Sequence, residues 1–319
     1  MKRSAIVSAI IALSIAAATG PALSQVEWRK AGTVEGRIVE SLSIDRNGTI
    51  YCAMFDAGVS RSLDRGRTWQ SVSDALPDGN ALAVLAMPEG TIYVGMFGNG
   101  VLRSRDQGRT WTEVNDGLTN REVVSLGATP DGVLLAGTAY GGLFISNDNG
   151  ESWSLAGLPG TFIKSITVSP DGAIFAGCSG GGVFRSLDGG SSWSRVNTGL
   201  TVTDVWSLTF DNSGTIYAAT NGGGVFVSID NGDHWSAANA GLETTNVGAL
   251  LHTEAGALLA GTTKGVFLSK DRGTSWTRAC EGLPGCAIKA FALGIDGTVY
   301  LGTNGSGVFR TSEPAISMR

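Results

Sequence analysis

The chain has 319 residues, 42% of them hydrophobic, enough for a large core, and its 47 Gly against 8 Pro point to many tight turns. Lys and Arg number 23 against 28 Asp and Glu, and without the first 24 residues the balance would be 21 against 28. An acidic chain of this kind argues against DNA, RNA and anionic membrane as partners, because those need a basic patch to neutralise phosphates.

The first element, residues 1–24, has the form of a signal peptide. Lys2 and Arg3 supply the basic start, and Ala5 to Thr19 is an apolar run of 15 residues, short for a membrane span of about 20. Gly20 and Pro21 break it, and the small residues Ala22 and Ser24 predict cleavage after Ser24. Export to the periplasm or the extracellular space is the expectation, with no membrane insertion after cleavage. An uncleaved anchor is the alternative. No Cys follows the site, so lipid attachment is not expected.

The next element is the short segment EWRKAG, Glu27 to Gly32, whose counterparts lie in a repeat that fills the rest of the chain. The stretch SLDRGRTW, Ser62 to Trp69, returns as SRDQGRTW, SNDNGESW, SLDGGSSW, SIDNGDHW and SKDRGTSW. These boxes begin at Ser62, Ser104, Ser146, Ser186, Ser228 and Ser269, at intervals of 42, 42, 40, 42 and 41. Each unit has one internal order: an apolar strand such as VVSLGAT, a Gly turn, a strand such as TIYVGM, a Gly-rich turn, a strand such as GVFRS, the box, and a short strand beginning at Trp. The strands are short, rich in Val, Ile, Tyr and Phe, and bounded by Gly, Asn and Asp. No helical periodicity is present.

Four strands in about 41 residues is the size of one propeller blade. The turn that opens the second strand occurs seven times, from Gly48-Thr49 to Gly297-Thr298, but there are only six boxes. The last unit ends before its Trp strand, and EWRKAG resembles TWTEVN and SWSRVN. Trp28 is therefore expected in the outer strand of the last blade, closing the ring and removing open edges. The fold class is all-β: a seven-bladed propeller of four-stranded antiparallel blades over residues 25–313, with a tail at 314–319.

The box itself reads as a device of shape. Asp64, Asp106, Asp148, Asp188, Asp230 and Asp271 can accept backbone N–H bonds, and the following Gly can take φ > 0. Trp69, Trp111, Trp153, Trp193, Trp235 and Trp276 can bury their indoles against a neighbouring blade. Six copies of a catalytic residue around a ring would have no mechanistic use. These residues resemble the Asp-box, or BNR, repeat over almost the whole mature chain. Propellers of this type include sialidases, xyloglucan hydrolases, sortilin-type receptor ectodomains and the photosystem II assembly-factor-like family, and the even repeats and seven blades are most similar to the last. That resemblance implies a non-catalytic scaffold that binds protein. It does not imply photosynthesis. It also implies a binding face opposite the box turns, built from outer-to-inner loops and second-to-third-strand turns.

Residues with chemistry are few. His234 lies in a box and His252 in an inner strand, so a Ser-His-Asp triad has little support. GCSGG, Gly177 to Gly181, matches a nucleophile elbow only in letters, since it aligns with strand-to-strand turns of sister blades. NDNG and SIDNG lack the spaced acids of a calcium loop. No metal site or cofactor is expected. Cys280 and Cys286 flank the turn-rich EGLPG and are expected to form a disulfide in an exported protein. Cys52 and Cys178 read as buried free thiols. Arg37, Arg121, Glu40, Glu122 and Asp204 near the inner-strand starts could serve a sialidase, but solvated rim charges explain them more simply.

The repeats offer a filter: a residue that recurs in every blade serves the fold, and one that breaks the pattern needs another reason. Trp206 stands where the other blades have Glu40, Ala83, Val124, Lys164, Gly248 and Lys289. Tyr140 is off-pattern in a second-to-third-strand turn, the same kind of turn carries Phe55 and Phe97 in blades 1 and 2, and Phe162 lies in the loop entering blade 4. These five aromatics are expected on one face, rimmed by Arg37, Arg121, Lys164, Asp204 and Lys289, as a contact patch for a protein or peptide. Inward packing that caps the channel is the structural alternative. The expected function is an exported, monomeric, non-catalytic scaffold. The alternative is a glycan-acting enzyme, sialidase or glycoside-hydrolase-like, or a carbohydrate-binding propeller.

Overall fold

Each repeat becomes a sheet because its glycines turn the chain where the apolar runs stop. The computed structural model describes residues 26–34, 38–77 and 80–314, and none of them is helical. The expected signal peptide and Arg37 lie outside the described residues, as does all of the tail except Pro314. No helix among the described residues is long and apolar enough to cross a membrane. At the seven turns between first and second strands, Gly48, Gly90, Gly132, Gly172, Gly214, Gly256 and Gly297 have φ between 79° and 97°, a region that glycine enters without steric cost.

Seven four-stranded antiparallel sheets result, six of them in meander order and the last completed by a strand from the N-terminal end of the described residues. Blade 1 is Val39–Ile44, Ile50–Met54, Gly58–Ser62 and Gln70–Ser71. Inner strands begin the later blades at Asn80, Val123, Phe162, Val205, Val247 and Ile288. Second strands such as Ile50–Met54 and Leu258–Thr262 are buried throughout. The core lies between blades: Tyr217, Ala219 and Val225 of blade 5 pack against Val247, Leu258, Phe267 and Trp276 of blade 6. Inner strands of neighbouring blades pack side by side, including those of blades 7 and 1.

The ring closes as the repeat count requires. Trp28–Lys30 pairs antiparallel with Val308–Thr311, with Trp28 opposite Thr311 and Lys30 opposite Phe309. Every box Trp sends its indole N–H into the preceding blade, as from Trp111 to the Val72 carbonyl at 2.9 Å and from Trp153 to the Val114 carbonyl at 2.8 Å. Trp28 does the same to Ala279 of blade 6 at 2.8 Å, and Trp69 of blade 1 donates to Ala31 of the N-terminal segment at 2.7 Å. The N-terminal strand thus stands as the seventh member of the series.

The box is a hydrogen-bonded knot. In blade 2 the Ser104 hydroxyl donates to Asp106 Oδ1 at 2.8 Å and accepts the Gly108 N–H at 2.8 Å. Asp106 also accepts the N–H and hydroxyl of Thr110 at 2.9 and 2.7 Å. The residue before Gly turns left-handed too, with Gln107 at φ 63° and Asn231 at φ 60°. Its carbonyl then faces an arginine of the preceding blade: Arg61 donates to Gln107 O and Arg185 to Asn231 O, both at 2.6 Å. Local turn and blade-to-blade contact are therefore one feature.

Bonds from the side chain and backbone of the residue four places on, joined by the box Ser hydroxyl, hold the pKa of Asp64, Asp106, Asp148, Asp188 and Asp230 at about 2. Desolvation opposes the shift at Asp271, but its bonds from Ser275 and Ser269 outweigh it. Carboxylates depressed on folding stabilise fully above their unfolded pKa of about 4 and lose that contribution as pH falls through their folded value. Melting temperature should accordingly fall between about pH 4 and about pH 2. Asp106→Ala should melt several degrees below the parent at neutral pH and lose that deficit in the acid window, with ligand binding by the folded protein intact. A variant that kept its melting temperature and lost binding would put function in the box.

One expectation fails. Cys280 and Cys286 are separate thiols. Cys280 occupies the position that Asn115, Asn197 and Asn239 hold in blades 2, 4 and 5, where Oδ1 accepts a third-strand N–H at 2.7 Å. Its Sγ accepts the Val266 N–H at 3.1 Å in the same way. The sulfur is directed at its own blade, so closeness in sequence to Cys286 does not make a bond. Cys52 and Cys178 are buried free thiols.

Candidate functional site

The site begins with a defect shared by all seven inner strands. Pairing with the second strand slips by one residue between Val39 and Ser41, Ala81 and Ala83, Val123 and Ser125, and Ile163 and Ser165. The same slip recurs between Val205 and Ser207, Val247 and Ala249, and Ile288 and Ala290. A β-bulge leaves one residue unpaired and re-aims its side chain. The unpaired residues are Glu40, Leu82, Val124, Lys164, Trp206, Gly248 and Lys289, and all seven line one cavity of about 460 Å3 at the centre of the ring. Leu82 replaces Ala83 as the blade 2 member, because Ala83 pairs with Gly95.

Three of the off-pattern aromatics complete the lining. Phe55 and Phe97 are 42% and 44% exposed; Phe55 lies on the turn after its second strand, whereas Phe97 is not in the turn but ends the strand Ile92–Phe97, opposite Asn80. Phe162 is the first residue of the blade 4 inner strand, opposite Ser179, and not part of the entering loop. Tyr140 adjoins it from blade 3, its ring 5.3 Å from that of Phe162 and tilted by 57°. Tyr140 has φ 65° and is 66% exposed. Trp206 is half-buried, and its indole N–H is held by Asp204 Oδ1 at 3.0 Å. The other Asp204 oxygen accepts Asn221 Nδ2 at 3.0 Å.

The charged members are arranged unevenly. Lys289 Nζ meets both oxygens of Glu40, at 3.0 and 3.3 Å, across the junction of blades 7 and 1. Lys164 Nζ lies 4.2 Å from the Phe162 ring centre and 5.8 Å from that of Trp206. Burial lowers the Lys164 pKa; Glu40 and Asp204 oppose that shift and Lys289 adds to it. Arg121 is elsewhere: it is exposed, its guanidinium reaches Glu113 at 3.6 Å, and its carbonyl accepts the N–H groups of Gly98 and Gly100. Neither Arg121 nor Glu122 lines the cavity, nor does any box Asp. Of the charged residues a sialidase could use, only Glu40 among the described ones lines the cavity.

The filter by repeat found Trp206, Phe55, Phe97 and Phe162, but it missed Leu82 and Asn80, which also line the site. Leu82 was legible only through the bulge. A second cavity of about 720 Å3 lies on the periphery between Thr277, Cys280, Leu283 and Val26. It borders the first described residue and holds none of the off-pattern aromatics. No group of three or more potential metal ligands occurs among the described residues.

Residues 57–306 match the family described as photosynthesis system II assembly factor YCF48. A comparison with curated proteins gives no match. Among solved structures, YCF48 bound to a D1 peptide superposes with a TM-score of 0.75 at 16% identity, over 92% of this chain and 99% of that one. YCF48 from Cyanidioschyzon merolae gives 0.71 at 13% identity, over 89% and 98%. The GH74 xyloglucanase from Xanthomonas campestris gives 0.67 at 18% identity, over 89% of this chain and 53% of that one. Structural likeness at such identities carries the fold alone, whereas the family match spans most of the sequence. On that match, the chain belongs to the photosynthesis system II assembly factor YCF48 family.

Proposed function

We propose that this protein is an exported, non-catalytic scaffold that binds a protein or peptide through the face bearing Trp206 and Tyr140. One observation carries the reading: among the described residues the central cavity has a single lining carboxylate, Glu40, and it is tied to Lys289. Glycoside hydrolysis needs two carboxyl groups about 5 to 10 Å apart, one of them free to move a proton. What the face offers instead is open aromatic surface, the material of protein contact sites. A relative of the same fold is bound to a D1 peptide, and the signal-like residues 1–24 support export.

The test is a double substitution. Trp206→Ala with Tyr140→Ala should weaken binding of a peptide selected on the parent protein by about 2 kcal/mol or more, or about 30-fold. Stability should change little, because the sister blades do without either ring. Normal binding with a melting temperature several degrees lower would return these rings to the core. Release of sugar from xyloglucan or a sialoside by the parent, lost in Glu40→Gln, would establish an enzyme instead.

A further inference from the structure

We propose that Lys164 reads an acidic side chain of the bound peptide, one flanked in that peptide by an aromatic or aliphatic residue. This deepens the peptide-binding reading and rests on it. Among the described residues three charged groups line the cavity, and two of them neutralise each other: Lys289 and Glu40. Asp204, the next carboxylate along, has one oxygen on Trp206 Nε1 and the other on Asn221 Nδ2. Lys164 is left with rings and no ion pair among the described residues. An aromatic face attracts a cation through its quadrupole, but an ammonium has three N–H donors. Phe162 and Trp206 hold the charge in the cavity lining without using its N–H donors in a hydrogen bond.

Charge and shape both favour an anion with an apolar neighbour. The described residues of the cavity lining carry one net positive charge in a chain whose formal net charge is −5. Half-burial without a counter-ion disfavours the charged amine, consistent with the lowered Lys164 pKa. An arriving carboxylate offsets that cost, as a buried residue of the fold could have done but does not. The charged bulge residues belong to blades 1, 4 and 7. Blades 2 and 3 contribute Leu82 and Val124, and Phe55 and Phe97 line the same cavity. A peptide that places its carboxylate at Lys164 thus has apolar surface within the same opening.

The experiment starts from a display library of random short peptides panned on the full mature chain. Selected sequences should be rich in Asp or Glu next to Phe, Trp, Tyr or Leu. For one such peptide, replacing its acid by the amide should weaken binding about 10- to 100-fold, the size of a hydrogen bond to a charged group. Lys164→Met should weaken the acidic peptide by a similar factor, leave the amide form unchanged, and add nothing to the loss from the amide, as a double-mutant cycle requires of a direct pair. Lys164→Arg should keep the preference, and thermal melting confirms that the variants fold. Peptides that bind through Trp206, without acid enrichment and with Lys164→Met unchanged, would overturn the inference and leave the functional reading standing. Failure to select any peptide, with polygalacturonate binding in its place, would overturn both.

Discussion

Removing Glu27 to Gly32 should turn a soluble protein into aggregates. The segment is held from both sides. Trp28 is 1% exposed, its backbone N–H reaches Glu281 at 2.8 Å, and its indole reaches Ala279 in blade 6. Glu27 O accepts the Ser312 N–H, and Ala31 O accepts the Trp69 indole of blade 1. Without the strand, Val308–Thr311 is left as an open edge, ready to pair with another chain. Loss of the Trp28 side chain alone should cost about 3 to 5 kcal/mol, so Trp28→Ala provides a graded companion that stays soluble long enough to measure. Size-exclusion chromatography and thermal melting decide the matter. A deletion variant that is soluble and as stable as the parent would refute closure by the N-terminus.

Gly199→Ala should be among the most damaging single substitutions. Gly199 has φ 87° in the loop that leaves blade 4. A Cβ there would stand inside the van der Waals radius of the Trp235 carbonyl oxygen, and the approach is fixed by a 2.8 Å bond from Trp235 N to Thr198 O. Gly117, Gly241 and Gly282 meet Trp153, Trp276 and Trp28 in the same way. The obstacle is backbone, which cannot swing aside. Left-handed strain and overpacking together should cost about 3 kcal/mol or more. Gly180, with φ 76° and nothing within 4 Å of its added Cβ, is the control, where Ala should cost only about 1 to 2 kcal/mol. Urea denaturation of both variants measures the difference, and equal losses would show that the close approach is not what matters.

The latch glycines also show why part of the site escaped a reading by repeats. Gly117, Gly199, Gly241 and Gly282 are visible as a recurring x-Gly-Leu or Gly-Leu-Pro text, but the carbonyl they approach lies in the next blade. Trp206 was found because it broke a pattern. Its tie to Asp204, two residues away, needed the fold to bring the indole edge round to the carboxylate. Arg121 shared the sequence position of a rim charge, yet its pairing with Glu113 draws it outward.

Period, turn chemistry and the stray Trp28 were sufficient by themselves for the all-β class, the seven blades and the closing strand. Those features are local: a Gly at positive φ or a Ser-Asp-Gly knot is satisfied within a few residues, and forty-odd residues repeat it. The tertiary structure alone decided which inner-strand residue faces the channel, so that Leu82 and not Ala83 lines it. It also decided that Phe162 begins a strand, that Cys280 serves its own blade rather than Cys286, and that Glu40 and Lys289, 249 positions apart, neutralise each other and leave Lys164 without a counter-ion among the described residues. The reason is physical: a bulge is set by the pairing register of two strands of a blade, which residue types alone do not show, and the Glu40–Lys289 pair forms across a junction that exists only once the ring has closed.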